Sequence, residues 1–136
     1  MSAKRPLPVP DAETAPFWAG TAAGKLLIQR CGGCGLHRFY PRILCPSCMS
    51  DAVEWVEASG RGRVYSYTVV HRAAPAFRDE VPYVVAIVEL EEGVRMMSRL
   101  LVDPPEAARI DLPVKVIFEK ASDEIVLPKF VPDDAA

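Results

Sequence analysis

Four cysteines carry the clearest chemistry in this chain. They form two Cys-x-x-Cys pairs, Cys31/Cys34 and Cys45/Cys48, within the run C-G-G-C-G-L-H-R-F-Y-P-R-I-L-C-P-S-C, and the sequence has no others. A pair at that spacing fits on one tight turn. Two such turns folded together present four thiolates to one tetrahedral ion. Gly33 and Gly35 bracket Cys34, which suits a turn that needs a left-handed backbone and close approach to sulfur. Pro46 helps fix the second turn, and Met49 stands where a second turn glycine is expected. All four ligands come from protein, so no coordination position stays open for water or substrate, and the expected role is structural. Zinc and iron both satisfy such a set. Visible absorption separates them, because a ferric four-sulfur centre is coloured and zinc is not. Two disulfides would instead require an oxidising compartment.

Little else in the sequence could perform a reaction. Acyl transfer of the Claisen type needs a nucleophilic thiolate with an acid or base beside it, and the thiols are assigned to the metal. His37 and His71 are the only histidines and have no evident partner in sequence. His37 is read as a surface residue, since a complete four-sulfur shell has no place for it. There is no Ser-His-Asp signature, P-loop or dinucleotide fingerprint. The chain is poor in chemistry and rich in surface.

The elements that hold these residues follow from pattern and punctuation. The 136 residues are half hydrophobic and one quarter charged, as in a globular protein. Net charge is −2, which gives the whole molecule no strong pull toward nucleic acid or anionic membrane. The charge is divided, however. Residues 1–78 carry ten Lys/Arg and five Asp/Glu, whereas residues 79–136 carry six and thirteen. From Thr14 to Ser50 there is no acidic residue. No apolar run approaches the roughly 18 residues of a membrane span, and M-S-A-K-R-P-L-P-V-P does not read as a signal peptide. A cytoplasmic location is expected.

Residues 1–13, with Pro6, Pro8 and Pro10, are expected to form an extended arm. Residues 14–57 are expected to form a short helix and a metal ribbon. Thr14 is the N-cap, Pro16 sits in the first turn and Gly24 is the stop. Phe17 and Trp18 on this helix could pack on the chain's own core or anchor a partner. The K-L-L-I-Q-R strand (25–30) leads into the first cysteine pair. A ribbon this small needs the ion, which supplies on the order of 10 kcal/mol. Residues 58–136 are expected to form a barrel with a C-terminal tail. V-Y-S-Y-T-V-V (64–70) places Tyr65, Tyr67 and Val69 on one face. His71–Pro82 is a loop carrying Phe77. Y-V-V-A-I-V-E-L (83–90) reads as the most buried strand, and Glu91-Glu92-Gly93 as a hairpin. V-R-M-M-S-R-L-L-V (94–102) places Arg95 and Arg99 on one face. Residues 103–113 hold at most one helical turn, and Pro128 marks an edge position in the final strand. The fold class is mainly β: five or six short strands fit a small Greek-key barrel, with an open sandwich as the alternative.

F-W (17–18), G-K-L (24–26), the C-x-x-C-G…Y-P…C-P-x-C run (31–48), S-G-R-G (59–62), V-x-S-x-T-V-V (64–70), P-Y-V-V-A (82–86) and L-P-K-F-V-P (127–132) together mark a resemblance. The chain resembles the zinc-ribbon/OB-fold family known as domain-of-unknown-function family thirty-five. One departure is I-D-L-P (110–113), where members often have glycine in the turn. The resemblance implies a rubredoxin-like zinc ribbon joined to an OB-fold barrel. It further implies an accessory subunit in a hetero-oligomer, beside a thiolase-like catalytic subunit (thiolase, aldolase or acyltransferase), that helps hold acyl-CoA. A CoA binder needs cations for phosphates and apolar walls for the ring and acyl arm. Arg38 and Arg42 in the acid-free ribbon, and Arg61 and Arg63 at the hinge, are the candidate cations. Phe39, Tyr40 and Phe77 are the candidate apolar surface. The alternative function is a single-stranded nucleic-acid-binding zinc-ribbon/OB protein with Tyr65 and Tyr67 as stacking platforms. The acidic second half argues against it.

Overall fold

Helix α1 (Ala15–Ala22) starts after Thr14 as expected, but Asp11 makes the capping contacts. The Asp11 carboxylate accepts the N–H groups of Glu13 and Thr14, both at 2.9 Å. Thr14 Oγ1 accepts the Asp11 N–H in return at 3.0 Å. The Thr14 N–H, the strongest of these influences, holds the Asp11 carboxyl below its ordinary range. At the other end Gly24 N–H reaches the Thr21 carbonyl (3.0 Å) and Lys25 N–H the Gly20 carbonyl (2.9 Å), the paired bonds of a Schellman end. The computed structural model of the protein describes residues 6–133. Residues 1–5 of the expected arm and 134–136 of the expected tail lie outside them.

The ribbon is a three-stranded antiparallel sheet of β1 (Leu27–Cys31), β2 (His37–Arg38) and β3 (Val53–Glu57), in the order β2-β1-β3. Leu27 pairs with Glu57 and Cys31 with Val53, so the first ligand stands at the end of a strand whose other end meets the barrel. The interior of the sheet is polar at one point. Buried Gln29 accepts the Arg38 Nε–H and the Arg42 N–H through one oxygen, both at 2.8 Å. That contact ties β1 to the segment leading into the second cysteine pair.

The remainder closes into a barrel of β4 (Arg61–Val70), β5 (Tyr83–Leu90), β6 (Arg95–Leu100), β7 (Pro113–Lys120) and β8 (Val126–Pro132), ordered β4-β5-β6-β8-β7 and back to β4. This is the OB-fold order, and it replaces the sandwich alternative. All neighbours are antiparallel except β6 and β8, which run parallel and share one registered pair, Leu100 with Phe130. The long loop before β5 contains a 3₁₀ turn at Pro75–Glu80, and the β6–β7 connection contains another at Pro105–Ala107.

As expected, β5 holds more buried residues than any other strand, but on one face only: Val84, Ala86, Val88 and Leu90 are buried, while Ile87 faces out. A barrel strand has one solvent face even when its sequence is apolar on both. One strand reading is corrected: a bulge between Val64 and Ser66 resets the alternation of β4. Val64 pairs with buried Val88, and beyond the bulge Tyr67 and Val69 pair with buried Ala86 and Val84. Tyr65 therefore does not share a face with Tyr67. An extra residue on one strand also increases local coiling, which helps β4 pair with β5 and β7 at once.

The turn where the family often has glycine is Asp111, at φ 66°, with its N–H bonded to the Val64 carbonyl at 2.8 Å. Aspartate is one of the few residues that tolerates this conformation. The core is continuous across both parts. Phe17, Leu26 and Ile28 join Val64, Val84, Val88, Leu100 and Phe130 in one cluster, and the Ala58 N–H bonds to the Leu26 carbonyl at 2.8 Å. No helix among the described residues is long and apolar enough to cross a membrane.

Gly62 lies where β4 contacts both neighbours. A Cβ there would sit 2.3 Å from the Glu89 carbonyl oxygen, and a paired backbone cannot yield cheaply. Gly62→Ala is expected to lower unfolding free energy by about 2–3 kcal/mol, measured by urea denaturation with Val64→Ala as a cavity control.

Candidate functional site: a four-sulfur centre and an apolar cleft

The cysteine turns are two copies of one knuckle. In the first, Cys31 N–H bonds to the Leu36 carbonyl and Gly35 N–H to the Cys31 carbonyl, both at 2.9 Å. In the second, Cys45 N–H bonds to the Ser50 carbonyl and Met49 N–H to the Cys45 carbonyl, again at 2.9 Å. Gly35 and Met49 are therefore equivalent, and both are left-handed, at φ 79° and 65°. The glycine missing from the second knuckle is missing from the sequence alone. The backbone conformation is retained, and methionine bears the strain.

The four Sγ atoms lie within 4.8 Å of one another, with Cys31–Cys48 at 3.5 Å and Cys34–Cys45 at 3.7 Å. Sulfurs bound at ~2.3 Å around one tetrahedral ion stand about 3.8 Å apart, so this cluster fits zinc. Cys31 and Cys45 are buried, whereas Cys34 and Cys48 are exposed. The N–H groups of Gly33 and Cys34 point at Cys31 Sγ (3.3 and 3.4 Å), and that of Ser47 at Cys45 Sγ (3.4 Å). These donors, Cys34 N–H foremost, pull the Cys31 thiol down to about 6. The Cys48 and Ser47 N–H groups lower Cys45. At Cys48 the Ser50 N–H favours the thiolate, but the Cys31 sulfur, burial and the other two thiols outweigh it and push Cys48 up to about 11. Negative charge thus collects on the buried pair, and a bound dication must expel the proton from Cys48.

The second feature is a cleft of about 610 Å³ between the ribbon and the barrel. One wall is a chain of rings. Trp18 meets Phe17 edge-on (centroids 4.9 Å), Phe17 meets Phe39 (5.5 Å), and Phe39 meets Tyr40 (5.7 Å). The rest of the lining includes Phe77 from the 3₁₀ turn before β5, and Met96, Met97, Ser98, Leu127 and Pro128 along the parallel β6–β8 seam. Arm residues Pro6, Leu7 and Pro8 also border it.

The aromatic candidates from the ribbon, the helix and the β4–β5 loop thus converge on one cleft, but the four arginines do not. Arg38 is corrected. It is 6% exposed, and its guanidinium bonds to Gln29 and to the Arg42 carbonyl (3.1 Å), so it supports the ribbon from within. Arg42 is exposed beside the cleft, with Cζ 6.0 Å from the Tyr40 ring. Arg61 and Arg63 border a separate groove of about 740 Å³ that also holds Glu89, Glu91, Asp111 and Asp133, an environment that repels phosphate. Phe17 is also corrected as a partner anchor: it is 4% exposed and belongs to the core, while Trp18 is only partly buried. Sequence reasoning missed the two methionines and Arg99, which emerge only when β6 meets β8. Tyr65 and Tyr67 do not form a joint stacking platform. They occupy different faces, and Arg95 covers the Tyr65 ring at 3.7 Å.

Chelating the metal is expected to release the knuckles while leaving the barrel folded. Hydrogen exchange would show this as lost protection at Cys31, Gly35, Cys45 and Met49, with β5 amides unchanged. Zinc uptake at neutral pH should release protons, read with an indicator in weak buffer. Met49→Gly should stabilise the metal-loaded protein by about 1 kcal/mol by removing a left-handed side chain. Equal or lower stability would show that this position carries no strain.

Residues 18–54 match the family model described as "ChsH2, rubredoxin-like zinc ribbon domain", and residues 55–119 the one described as "ChsH2, C-terminal OB-fold domain". The chain is 41% identical over 131 residues to the "Probable enoyl-CoA hydratase alpha subunit" of Thermomonospora curvata. That match covers 96% of this chain and 40% of the relative, so the chain spans less than half of that protein. It is 38% identical over 100 residues to a "DUF35 domain-containing scaffold protein" of Methanocaldococcus jannaschii, covering 73% and 71% of the two chains. Among solved structures, the "Ltp2-ChsH2(DUF35) aldolase" aligns at a TM-score of 0.84 and 40% identity over 93% of this chain and 98% of that one. With ribbon, barrel and knuckles in place, and with matches along both parts, this chain belongs to the DUF35 family in its ChsH2-like form, a zinc ribbon followed by an OB-fold domain.

Proposed function

We propose that the chain is a non-catalytic accessory subunit. It binds a thiolase-superfamily partner (a thiolase, aldolase or acyltransferase) and helps hold that partner's acyl-CoA during C–C bond cleavage or formation. The observation that carries this reading is the allocation of sulfur: all four thiols face one metal position. Neither histidine borders the cleft, whose lining is mostly aromatic, aliphatic and thioether. Such a surface binds but does not supply a nucleophile with its base. The descriptions of the relatives agree in kind. One is a scaffold protein, one is the alpha subunit of a probable hydratase, and the related solved structure is an aldolase described with a second component, Ltp2.

Within this reading the residues take distinct roles. Phe39, Tyr40 and Phe77 supply apolar and stacking surface. Arg42 is the cation placed to meet a phosphate. Trp18 remains available at the rim for a partner. The zinc holds the knuckles, and through Gln29 and Arg38 the segment bearing Phe39 and Tyr40, against the helix.

The test is reconstitution. The zinc-loaded chain should show no thiolytic or retro-aldol turnover by itself. Co-expressed with the thiolase-superfamily polypeptide of its own host, it should elute as a stable complex and raise that enzyme's turnover at least tenfold. Turnover by the isolated chain, abolished by Cys34→Ser without unfolding, would overturn the assignment.

A further inference from the structure

The cleft already has an occupant at its rim, and that occupant belongs to the chain itself. Pro6, Leu7 and Pro8 line it beside the ring wall. The conformation of this segment follows from its sequence. In P-L-P-V-P (6–10) three prolines fix φ, and Leu7 and Val9 each precede a proline, which holds them extended. The run is a polyproline II rod of about 15 Å without internal hydrogen bonds, and no helix or strand includes it. Rods of this kind are bound by grooves lined with aromatic rings, because a preformed chain loses little entropy on docking.

The attachment is of one kind only. None of residues 6–10 makes a hydrogen bond or ion pair among the described residues. Three of the five have no N–H to offer, so the rod cannot extend a sheet edge. The polar side chains of the cleft are engaged elsewhere. Ser98 Oγ–H donates to the Pro128 carbonyl at 2.6 Å, Arg99 pairs with Glu80, and Lys129 pairs with Glu119 at 2.7 Å. The seating is also shallow: Leu7 is 40% exposed, and Val9, at 86%, does not line the cleft. Val9 and Pro10 form a spacer to a firm corner. There Asp11 N–H donates to Thr14 Oγ1 at 3.0 Å, and Thr14 N–H to the Asp11 carboxylate at 2.9 Å. Thr14 is buried and borders the cleft. One end of the rod is thus fixed beside the cleft, while the other rests on apolar contact that a competing apolar body can replace.

We propose that Pro6–Pro8 are a displaceable strap: they sit against the ring wall in the free chain, as a proline-rich ligand supplied in cis, and leave when another apolar body enters the cleft. The strap is an autoinhibitory contact. Its regulatory meaning rests on the accessory-subunit reading, in which the cleft is used, whereas the contact itself does not. Burial of part of one leucine and two proline faces favours the seated state by roughly tenfold. A body entering the cleft then binds about tenfold more weakly than it would to an open one. With the corner holding the rod at an effective concentration on the order of 1 mM, the same balance gives the detached segment a Kd of about 0.1 mM.

The experiment uses the zinc-loaded full chain and the uncharged probe N-phenyl-1-naphthylamine. Nuclear Overhauser contacts between the Leu7 methyls and the cleft rings should be present in the free chain and vanish as the probe saturates, while the Thr14 amide stays protected. Leu7→Glu should raise probe affinity roughly five- to tenfold, read by energy transfer from Trp18 in a Trp55→Phe background, with zinc content and Tm unchanged. Val9→Glu introduces the same charge two residues along, and it should leave affinity within about twofold of the parent, as should Leu7→Met. A peptide of residues 6–11, added at about 1 mM, should return the Leu7→Glu chain to parental affinity, and the same peptide carrying Leu7→Glu should not. Absence of Leu7–ring contacts in the free chain, contacts that persist at saturation, a fall in probe affinity with Leu7→Glu, or equal effects of Leu7→Glu and Val9→Glu would each overturn the proposal. A cleft opened by Leu7→Glu in a chain that joins no thiolase-superfamily partner would leave the strap standing and remove the accessory role. A chain that raises its partner's turnover, with a cleft indifferent to Leu7→Glu, would do the reverse.

Discussion

Closure of two cysteine knuckles around one ion is the constraint on which the functional surface depends. Segment 31–52 contributes few groups to the common core; its buried residues include Cys31, Arg38, Pro41 and Cys45. Cross-linking at the sulfurs substitutes for a hydrophobic interior that so short a stretch cannot build. The benefit reaches beyond the metal. Once Cys45 is fixed opposite Cys34, the intervening segment has one path, and Gln29 and Arg38 pin it along that path. Phe39 and Tyr40 are then held against Phe17. The zinc is thus a device for aiming an aromatic wall.

The barrel contributes the opposing wall through a different economy. A five-stranded closed sheet must accommodate one parallel neighbour pair, and here that pair is nearly bare. Where ladder bonds are sparse, side chains and a serine hydroxyl fill the gap. At this seam buried Met96, exposed Met97 and the Pro128 carbonyl stand where a regular ladder would otherwise run. Helix α1 lies against β8 beside this gap, so the cleft is bounded by both parts of the molecule and belongs to neither.

The sequence was legible where physics is local. Cysteine ligation acts over three residues, the hairpin at Glu91–Gly93 over three, and the Gly24 stop over a single turn. Each expectation has its counterpart in the structure. It was illegible where an answer depended on closure. The bulge after Val64 leaves no mark in V-Y-S-Y-T-V-V, since a two-residue period looks the same with or without a slipped residue. Arg38 read as a surface cation because nothing nearby in sequence announces that Gln29, nine positions earlier, will bury it. Met49 is an anomaly in the sequence of its knuckle. Only the backbone showed that the knuckle tolerates the anomaly by keeping its left-handed turn. The cleft draws on helix, ribbon, loop and two strands, so no single window of residues could have revealed it.

The seating of α1 on β8 also imposes an order on the birth of the molecule. Ala22 and Val126 lie far apart along the chain, yet their elements touch. A nascent polypeptide can ligate its ion once Cys48 has emerged, while Phe17 and Trp18 still lack the strand that shelters them. Throughout synthesis of the barrel this helix keeps its ribbon contacts, such as Phe17 on Phe39, but waits for a strand made last.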